Sequence, residues 1–469
     1  MENNKYHFGM VGLGVMGRNF ILNVADSGFS AAGLDLDQEK VAALNEEGAE
    51  KKVKGTTDKH TFLSMLNAPR KIMLLVPAGK AVDAVIKDLL PHLDKGDLII
   101  DGGNSFYEDT NRREKELEKE GILFMGIGVS GGAKGARLGP SIMPGGNKEA
   151  YKLVKEILEG VSAKVNDEPC VAHLGNSSAG NYVKMVHNGI EYALMQLIAE
   201  AYDVLKQIGG LDNDELHQTF DQWNKGRLQS FLVEISAAIF TKNDPETGRK
   251  LVDAILDKAK QKGTGKWTSQ NAMDLGMPVP TIDAAVTMRG ISSFKSDRIV
   301  IDSIYDGAGA FTKVEKSAFV TQVEHALYFS FIMAYAQGMA MLQAASEEYD
   351  YDLDLEVIAK IWRGGCIIRA GLLEHIRKAY KNDNKLSNLV IDPYFVEQIK
   401  ATESNTRKVI QAAIAAGIPT LALSTSLAYF DALRSSRLPL NLVQAQRDFF
   451  GSHTYERIDM EGIFHTEWE

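Results

Sequence analysis

The spacing of apolar and polar residues changes near residue 175. Before that point, short apolar runs of strand length alternate with longer stretches of helical periodicity. This alternation predicts a parallel sheet with helices on both faces, as in a doubly wound α/β domain. The runs that predict strands lie at residues 7–11, 30–34, 72–76, 98–100 and 122–129.

Helical periodicity then continues from about residue 178 to about residue 434. Pro439 breaks the pattern shortly after that. We therefore expect an α/β, Rossmann-like domain at 1–177, an all-helical domain at 178–434 and a C-terminal tail at 435–469. Two uncharged stretches, 326–346 and 409–430, are long enough to cross a bilayer. They contain polar amides and lack positively charged flanks, so we expect buried helices instead.

Composition narrows the classes of function. The chain has 469 residues and a net charge of −10, which argues against a general binder of nucleic acids or anionic membranes. Its two cysteines, Cys170 and Cys366, cannot form a disulfide framework or a cysteine-rich zinc site. Residues 1–8 do not have the pattern of a secretory signal. We expect a cytoplasmic protein that needs no metal, because no acidic or histidine cluster has metal-ligand spacing.

A glycine-rich hexapeptide follows the first predicted strand and opens a helix. Its glycines, Gly12, Gly14 and Gly17, suit a tight turn, a close approach of the backbone to a pyrophosphate and close helix packing. The alternative is a glycine-rich turn that binds nothing, which this context disfavours. The predicted dinucleotide contacts of the segment are Gly12, Leu13, Gly14, Val15, Met16 and Gly17.

Asp35 ends the second predicted strand, and Asp37 follows it. A carboxylate at this point accepts hydrogen bonds from ribose hydroxyls and repels a 2′-phosphate, which favours NAD over NADP. The alternative is that Asp35 only begins the turn before the next helix.

Residues 184–192 combine possible acid, base and amide groups. At helical spacing, Lys184, His187, Asn188 and Glu191 share one face. Periodicity alone equally allows an amphipathic helix with a solvated face. Glycine-rich segments at 101–105 and 130–132 follow strands, where ligands of α/β sheets bind, and a third at 261–267 carries two lysines. Each could also be a simple turn.

Several motifs occur in order along nearly the whole chain. They lie at residues 12–17, 101–105, 130–132, 144–147, 184–192, 261–267, 363–369 and 444–448. Together they resemble the decarboxylating 6-phosphogluconate dehydrogenase family of the β-hydroxyacid dehydrogenase superfamily. The resemblance implies oxidation of 6-phosphogluconate at C3, loss of CO₂ and formation of ribulose 5-phosphate.

The resemblance also implies roles for residues. Lys184 is the expected base, Glu191 the expected acid, and Asn188 helps to stabilise charge. The implied substrate contacts are Asn104, Ser130, Gly131, Gly132, His187, Asn188, Tyr192, Lys262, Arg289, Arg447 and His453. The implied cofactor contacts beyond the hexapeptide are Asp35, Leu36, Asp37, Val76, Pro77, Ala78 and Asn104. In this family the tail carries Arg447 and His453 into the partner subunit, which implies a homodimer with shared sites.

Two departures from the family pattern concern the cofactor. An Asn-Arg-Thr run of NADP-dependent members is replaced by Asp35, Leu36 and Asp37, and a lysine found in many members is replaced by Pro77. Both changes remove positive charge, so NAD is expected and NADP is the alternative.

Three other functions stay open at this point. A dehydrogenase of another β-hydroxy acid would keep Lys184 and Asn188 without needing all of the cationic residues. A non-catalytic nucleotide sensor would tolerate loss of Lys184 or Glu191. Nucleic-acid binding is the most distant, given the negative charge.

Overall fold

The computed structural model describes residues 5–261, 263–305 and 314–468. Lys262, one of the expected substrate contacts, therefore lies outside the described residues.

A seven-stranded sheet forms the N-terminal part, in the order β3-β2-β1-β4-β5-β6-β7. All neighbouring strands are parallel except β6 and β7, which are antiparallel. The strands, including those of two small hairpins, are β1 (Phe8–Val11), β2 (Ala31–Leu34), β3 (Val53–Thr56), β4 (Lys71–Leu74), β5 (Leu98–Asp101), β6 (Leu123–Ser130), β7 (Ser141–Gly146), β8 (Lys164–Val165), β9 (Glu168–Pro169), β10 (Tyr455–Glu456) and β11 (Ile463–Phe464).

Seven helices accompany the large sheet. They are α1 (Val15–Asp26), α2 (Gln38–Glu47), α3 (Lys59–Met65), α4 (Lys80–Leu89), α5 (Tyr107–Lys119), α6 (Gly132–Leu138) and α7 (Lys148–Val161). Strand residues alternate between the two faces. Met73 of β4 joins one apolar cluster, whereas Ile72 and Leu74 join the cluster on the other face. Both faces are thus covered, as the sequence predicts.

Most of the secondary structure described after residue 178 is helical. The helices are α8 (Ala179–Gln207), α9 (Asn213–Asn224), α10 (Phe231–Thr241), α11 (Leu251–Ala254), α12 (Thr264–Asp274), α13 (Pro280–Ser293), α14 (Lys295–Ile304), α15 (Lys316–Glu348), α16 (Leu355–Trp362), α17 (Leu372–Asn382), α18 (Pro393–Ala416), α19 (Leu421–Leu433) and α20 (Leu440–Gly451). Short 3₁₀ turns lie at Leu90–His92 and Leu389–Ile391. The expected fold class is confirmed.

The two uncharged stretches lie in helices that pack in the core. Residues 326–346 belong to α15, which packs against α8, α18 and α19, and residues 409–430 span the end of α18 and most of α19. Residues 326–342 are buried, as expected, whereas residues 409–430 are buried on one face only, with Ile414 70% exposed. Among the helices of the described ranges, none is long and apolar enough to cross a membrane.

Two strands of the large sheet are absent from the sequence prediction. The β3 segment, Val-Lys-Gly-Thr, has few apolar residues, and β7 contains Pro144, Gly145 and Gly146. These residues have low strand propensity. The strand β7 forms because its backbone pairs with β6 at the sheet edge, a long-range contact that local sequence does not encode.

Candidate functional site

The helix α8 lies unusually close to the edge of the large sheet. Glycines make this approach possible: a Cβ on Gly128 of β6 would overlap the side chain of Lys184, and one on Gly180 would overlap Met143 O. Because no side chains separate the helix from the strands, Lys184 sits directly against the carboxyl-terminal half of β6. That is the sheet end at which ligands of α/β proteins bind.

The polar face of α8 is buried. Lys184, His187 and Asn188 are only 6%, 0% and 7% exposed. Lys184 Nζ lies 3.2 Å from His187 Nδ1, which lies 3.3 Å from Asn188 Oδ1 and 3.8 Å from Glu191 Oε2. The four residues of the predicted stripe thus gather, and the alternative of a solvated face is wrong.

His187 connects this face to the end of β6. Its Nε2 lies 3.3 Å from Ser130 Oγ, and its ring packs edge-on against Trp362 at 5.5 Å between centroids. Trp362 belongs to α16, just before the glycine-rich segment 363–369. In that segment, Gly365 O would overlap a Cβ on Gly131. Trp362 and Gly365 of the helical domain therefore pack against His187 and against the Ser130–Gly132 turn, respectively.

Burial changes the acid–base properties of the cluster. It lowers the pKa of Lys184, although the carboxylate of Glu191 opposes the change. It also lowers the pKa of His187 well below its ordinary value, and nearby Lys184 adds to this effect. Conversely, burial raises the pKa of Glu191, against the influence of Lys184 and Arg289. The site thus favours a neutral amine, a neutral imidazole and a protonated carboxyl group.

A second group of expected contacts surrounds Tyr192, the residue that follows Glu191 on α8. The guanidinium carbon of Arg289 is 3.4 Å from the centre of the Tyr192 ring, and Arg289 Nη1 donates to Lys260 O at 3.2 Å. Gly265 packs so closely on Tyr192 that a Cβ would overlap the ring. Of the glycine-rich segment, residues 264–267 form the first turn of α12.

The tail residues do not join this cluster within one chain. Arg447 is exposed, and its Nη1 donates to Gln444 Oε1 at 3.0 Å. His453 is exposed and packs edge-on against Phe450. The hydrogen bonds described for residues 440–468 all connect the tail with itself.

The glycine-rich hexapeptide combines two closely packed glycines with one that faces open space. Gly12 has φ +95°, and a Cβ there would lie 2.6 Å from Leu75 O. A Cβ on Gly17 would overlap Gly12 O, whereas Gly14 faces open space. Gly14 caps α1 without a side-chain hydrogen bond, so no capping side chain covers the first amides of the helix. A helix start of this kind fits a pyrophosphate.

Asp35 is engaged by the backbone around it. Its Oδ2 accepts from Leu13 N at 2.7 Å, and its Oδ1 accepts from Asp37 N at 3.0 Å. Lys40 Nζ is 3.7 Å from Asp35 and 3.4 Å from Asp37. Leu36 is 93% exposed. Asp35 therefore shapes the turn, as the alternative interpretation proposed, and also ties that turn to the hexapeptide.

The remaining expected cofactor contacts lie at neighbouring strand ends. A Cβ on Gly103 would be 3.5 Å from Val76 O, so the 101–105 turn abuts the segment after β4. Asn104, Pro77 and Ala78 are exposed along this edge. The hexapeptide, residues 76–78 and Asn104 thus line one end of the sheet.

A buried ion pair that the sequence did not indicate holds this edge together. Arg113 is 1% exposed; its Nη1 donates to Asp101 Oδ2 at 3.1 Å, its Nε to Asp83 Oδ1 at 2.8 Å and its Nη2 to Gly79 O at 3.1 Å. Because α5 is rich in charged residues, Arg113 is indistinguishable in sequence from its solvated neighbours. In the ranges that the structure describes, no group of three or more His, Cys, Asp or Glu side chains could hold a metal ion.

Comparisons with known proteins find matches over both parts of the chain. The model for the NAD binding domain of 6-phosphogluconate dehydrogenase matches residues 7–175, and the model for the C-terminal domain of 6-phosphogluconate dehydrogenase matches residues 180–468. The NADP(+)-dependent, decarboxylating 6-phosphogluconate dehydrogenase of Bacillus subtilis is 53% identical over 99% of each chain. The decarboxylating enzyme of Escherichia coli is 50% identical over 99% of each chain.

A solved structure has the same architecture over almost the full length. The 6-phosphogluconate dehydrogenase of Plasmodium falciparum, described in its apo form and in complexes with NADP+ and with 6-phosphogluconate, superposes with a TM-score of 0.95. It is 46% identical, and the match covers 98% of this chain and 100% of the other. The chain therefore belongs to the 6-phosphogluconate dehydrogenase family.

Proposed function

We propose that the chain oxidises and decarboxylates 6-phosphogluconate to ribulose 5-phosphate and CO₂ and reduces NAD(P). The observation that carries this proposal is the buried cluster of Lys184, His187, Asn188 and Glu191 beside the glycine-rich strand ends. The names of the B. subtilis and E. coli relatives support it, since both describe decarboxylating 6-phosphogluconate dehydrogenases.

Oxidation at C3 needs a base for the hydroxyl proton. A free lysine has a pKa of ~10.4, so neutrality at pH 7 requires a depression of ~3 units, or about 4 kcal/mol. Burial acts in this direction on the pKa of Lys184. When bound, the nicotinamide supplies the acceptor for the hydride from C3. Lys184 takes the hydroxyl proton, and His187 holds the amine in place.

Decarboxylation of the resulting β-keto acid develops negative charge on the C3 oxygen. Protonated Lys184 and the amide of Asn188 can stabilise that oxygen. The enediol must then gain a proton at the former C2, which becomes C1 of ribulose 5-phosphate. Glu191 is suited to donate it because burial raises the pKa of its carboxyl group.

The substrate phosphate needs a cationic subsite away from the reacting carbons. Arg289 packs on the ring of Tyr192, the residue that follows Glu191 on α8. We propose that Lys262, together with Arg447 and His453 from a second subunit, completes this subsite in a homodimer. Exposed apolar side chains on the tail and on α14 suit such an interface; they include Leu442, Phe449, Phe450, Ile463, Ile299, Val300 and Ile304.

The shared site can be tested with two inactive variants. Lys184→Met and Arg447→Ala subunits, mixed under conditions that exchange subunits, should regain activity because each hybrid contains one intact site. The control is each variant put through the same exchange alone. Persistent inactivity, with hybrids verified by mass, contradicts the shared site.

NAD as the favoured cofactor is a finer proposal. Asp35 and Asp37 carry negative charge at the end of β2, and Leu36 offers no cation for a 2′-phosphate. The name of the B. subtilis relative instead states NADP dependence, and Lys40 is a nearby cation that would serve NADP. We also propose a reducing, cytoplasmic setting, which the two free, buried cysteines support.

The deciding experiment measures kcat/KM for 6-phosphogluconate with NAD and with NADP, together with release of CO₂. Matched assays with a β-hydroxy acid that lacks the phosphate test the rival dehydrogenase. The proposal expects turnover that depends on the phosphate and one CO₂ per reduced cofactor. Cofactor binding without turnover would instead favour the nucleotide sensor.

A further inference from the structure

A single buried carboxylate organises the C-terminal tail. Asp448 lies on α20 and is 0% exposed. Its Oδ1 accepts hydrogen bonds from Thr454 N at 2.9 Å and His465 Nδ1 at 2.8 Å. Its Oδ2 accepts from Thr466 N at 3.1 Å and Trp468 Nε1 at 2.9 Å. One side chain thus connects the helix, the turn that follows it and the segment after β11.

The turn that Asp448 closes is conformationally costly. Ser452 and Thr454, on either side of His453, have φ of 50° and 63°. This left-handed conformation is unfavourable for residues other than glycine. Gln444 Nε2 donates to Thr454 O at 2.6 Å and helps to hold the turn. Two left-handed residues that flank one histidine need such support to fix the position of its ring.

The electrostatics of the cluster reinforce this support. Burial alone would raise the pKa of Asp448, but hydrogen bonds from His465, Trp468 and two backbone amides lower it. Asp448 in turn raises the pKa of His465. The carboxylate is therefore ionised and charge-assisted at neutral pH, and hydrogen bonds of this kind are stronger than neutral ones.

We propose that Asp448 is a positioning residue that fixes Arg447 and His453 in the geometry that the partner's phosphate subsite requires. Arg447 precedes it on α20, and His453 lies in the turn that it closes. The inference rests on the proposed function, because it assumes that the tail completes a site in a second subunit. The hydrogen bonds described for the Asp448 side chain all come from the tail, so we expect it to act without touching the substrate.

The first test separates positioning from general stability. Asp448→Asn should raise KM for 6-phosphogluconate about tenfold or more, since loss of a charged hydrogen-bond acceptor loosens the turn. The Kd for the dinucleotide should stay unchanged, because the hexapeptide is untouched. The matched control is Asp459→Asn, an exposed tail aspartate that pairs only with Arg457 among the contacts described for it. Equal losses in both variants overturn the inference.

A double-mutant comparison tests whether Asp448 acts through His453. In a His453→Ala background, Asp448→Asn should weaken substrate binding much less than it does alone. Full additivity of the two effects would show that Asp448 serves the tail in some other way and would overturn the assignment.

Hybrid dimers test in which subunit Asp448 acts. Mixing Lys184→Met with Asp448→Asn should restore activity at low 6-phosphogluconate, because the hybrid joins an intact body to an intact tail. If Asp448 served its own subunit, the hybrid would hold no intact site and the mixture would stay impaired. Recovery with Lys184→Met plus Arg447→Ala, but not with Asp448→Asn, overturns the positioning role and leaves the shared site standing. Inactivity of both mixtures refutes the shared site and this inference with it.

Discussion

Nζ of Lys184 lies 3.2 Å from Nδ1 of His187, and both side chains are buried. The other ring nitrogen of His187 lies 3.3 Å from Ser130 Oγ. Because burial and the nearby lysine lower the pKa of His187 well below its ordinary value, the ring stays neutral. A neutral imidazole has one donor and one acceptor nitrogen, so it can hold Lys184 and Ser130 in either tautomer.

This arrangement predicts a specific loss in Lys184→Met. The variant should bind the dinucleotide as the unchanged protein does, whereas kcat should fall about 10³-fold because no base takes the C3 proton. Stopped-flow measurement of cofactor reduction and a separate binding titration check the two parts. Lys206→Met, on the same helix but paired with Asp253 outside the cluster, is the control. Appreciable hydride transfer in Lys184→Met would refute the base assignment.

The opposite pKa shifts of Lys184 and Glu191 predict a bell-shaped pH profile of kcat/KM. Activity should fall toward low pH as Lys184 gains a proton and toward high pH as Glu191 loses one. Glu191→Gln cannot ionise, so the alkaline limb should disappear from its residual activity while the acid limb stays. An unchanged alkaline limb in Glu191→Gln would assign that limb to another group.

Residue spacing predicted the parts of the site that lie within a single turn or helix. Spacing predicts the hexapeptide, the strand ends and the sharing of one α8 face by four polar residues, because turns and helices impose fixed periodicities. Spacing left open whether that face is buried or solvated. Arg113 and Trp362 did not emerge, since their importance depends on which distant residues surround them. The burial of Lys184 likewise depends on Gly128 in another element, which sequence spacing does not connect to α8.

That close approach predicts a large effect of adding one methyl group. Gly128→Ala should lower stability by about 1–3 kcal/mol, because its Cβ would overlap the Lys184 side chain and push α8 from the sheet. It should also lower kcat more than it changes the Kd for the dinucleotide. Thermal unfolding and steady-state kinetics measure both effects. Gly226→Ala is the control, since its nearest neighbour would be 3.6 Å away. Equal tolerance of both substitutions would contradict the packing argument.

The residue at position 36 should control the choice of cofactor. Leu36→Arg would place a guanidinium beside a 2′-phosphate, so the ratio of kcat/KM for NADP to that for NAD should rise about tenfold or more. Leu36→Gln is the matched control, because it removes the apolar side chain without adding charge. A ratio that already favours NADP in the unchanged protein would refute the interpretation of Asp35, and a ratio unmoved by Leu36→Arg would refute that of Leu36.

Glu200 predicts a dependence of stability on pH. Its buried carboxylate accepts from Ala422 N and Leu423 N, at the start of α19, each at 2.9 Å. Burial nevertheless raises its pKa to about 7, from 4.5. Below about pH 4.5 this proton is bound in both the folded and the unfolded chain. Glu200 then contributes nothing to the pH dependence of the free energy of unfolding.

As pH rises, the unfolded chain loses the proton first, so Glu200 makes the folded state progressively less stable until about pH 7, by up to about 3 kcal/mol. Glu200→Gln cannot titrate. The Tm of Glu200→Gln minus the Tm of the unchanged protein should therefore rise between pH 5 and pH 7 and level off above pH 7. Scanning calorimetry of both proteins across this range measures the difference, in which the contributions of all other groups cancel. A difference that is constant with pH would mean that the pKa of Glu200 is the same in the folded and unfolded chains.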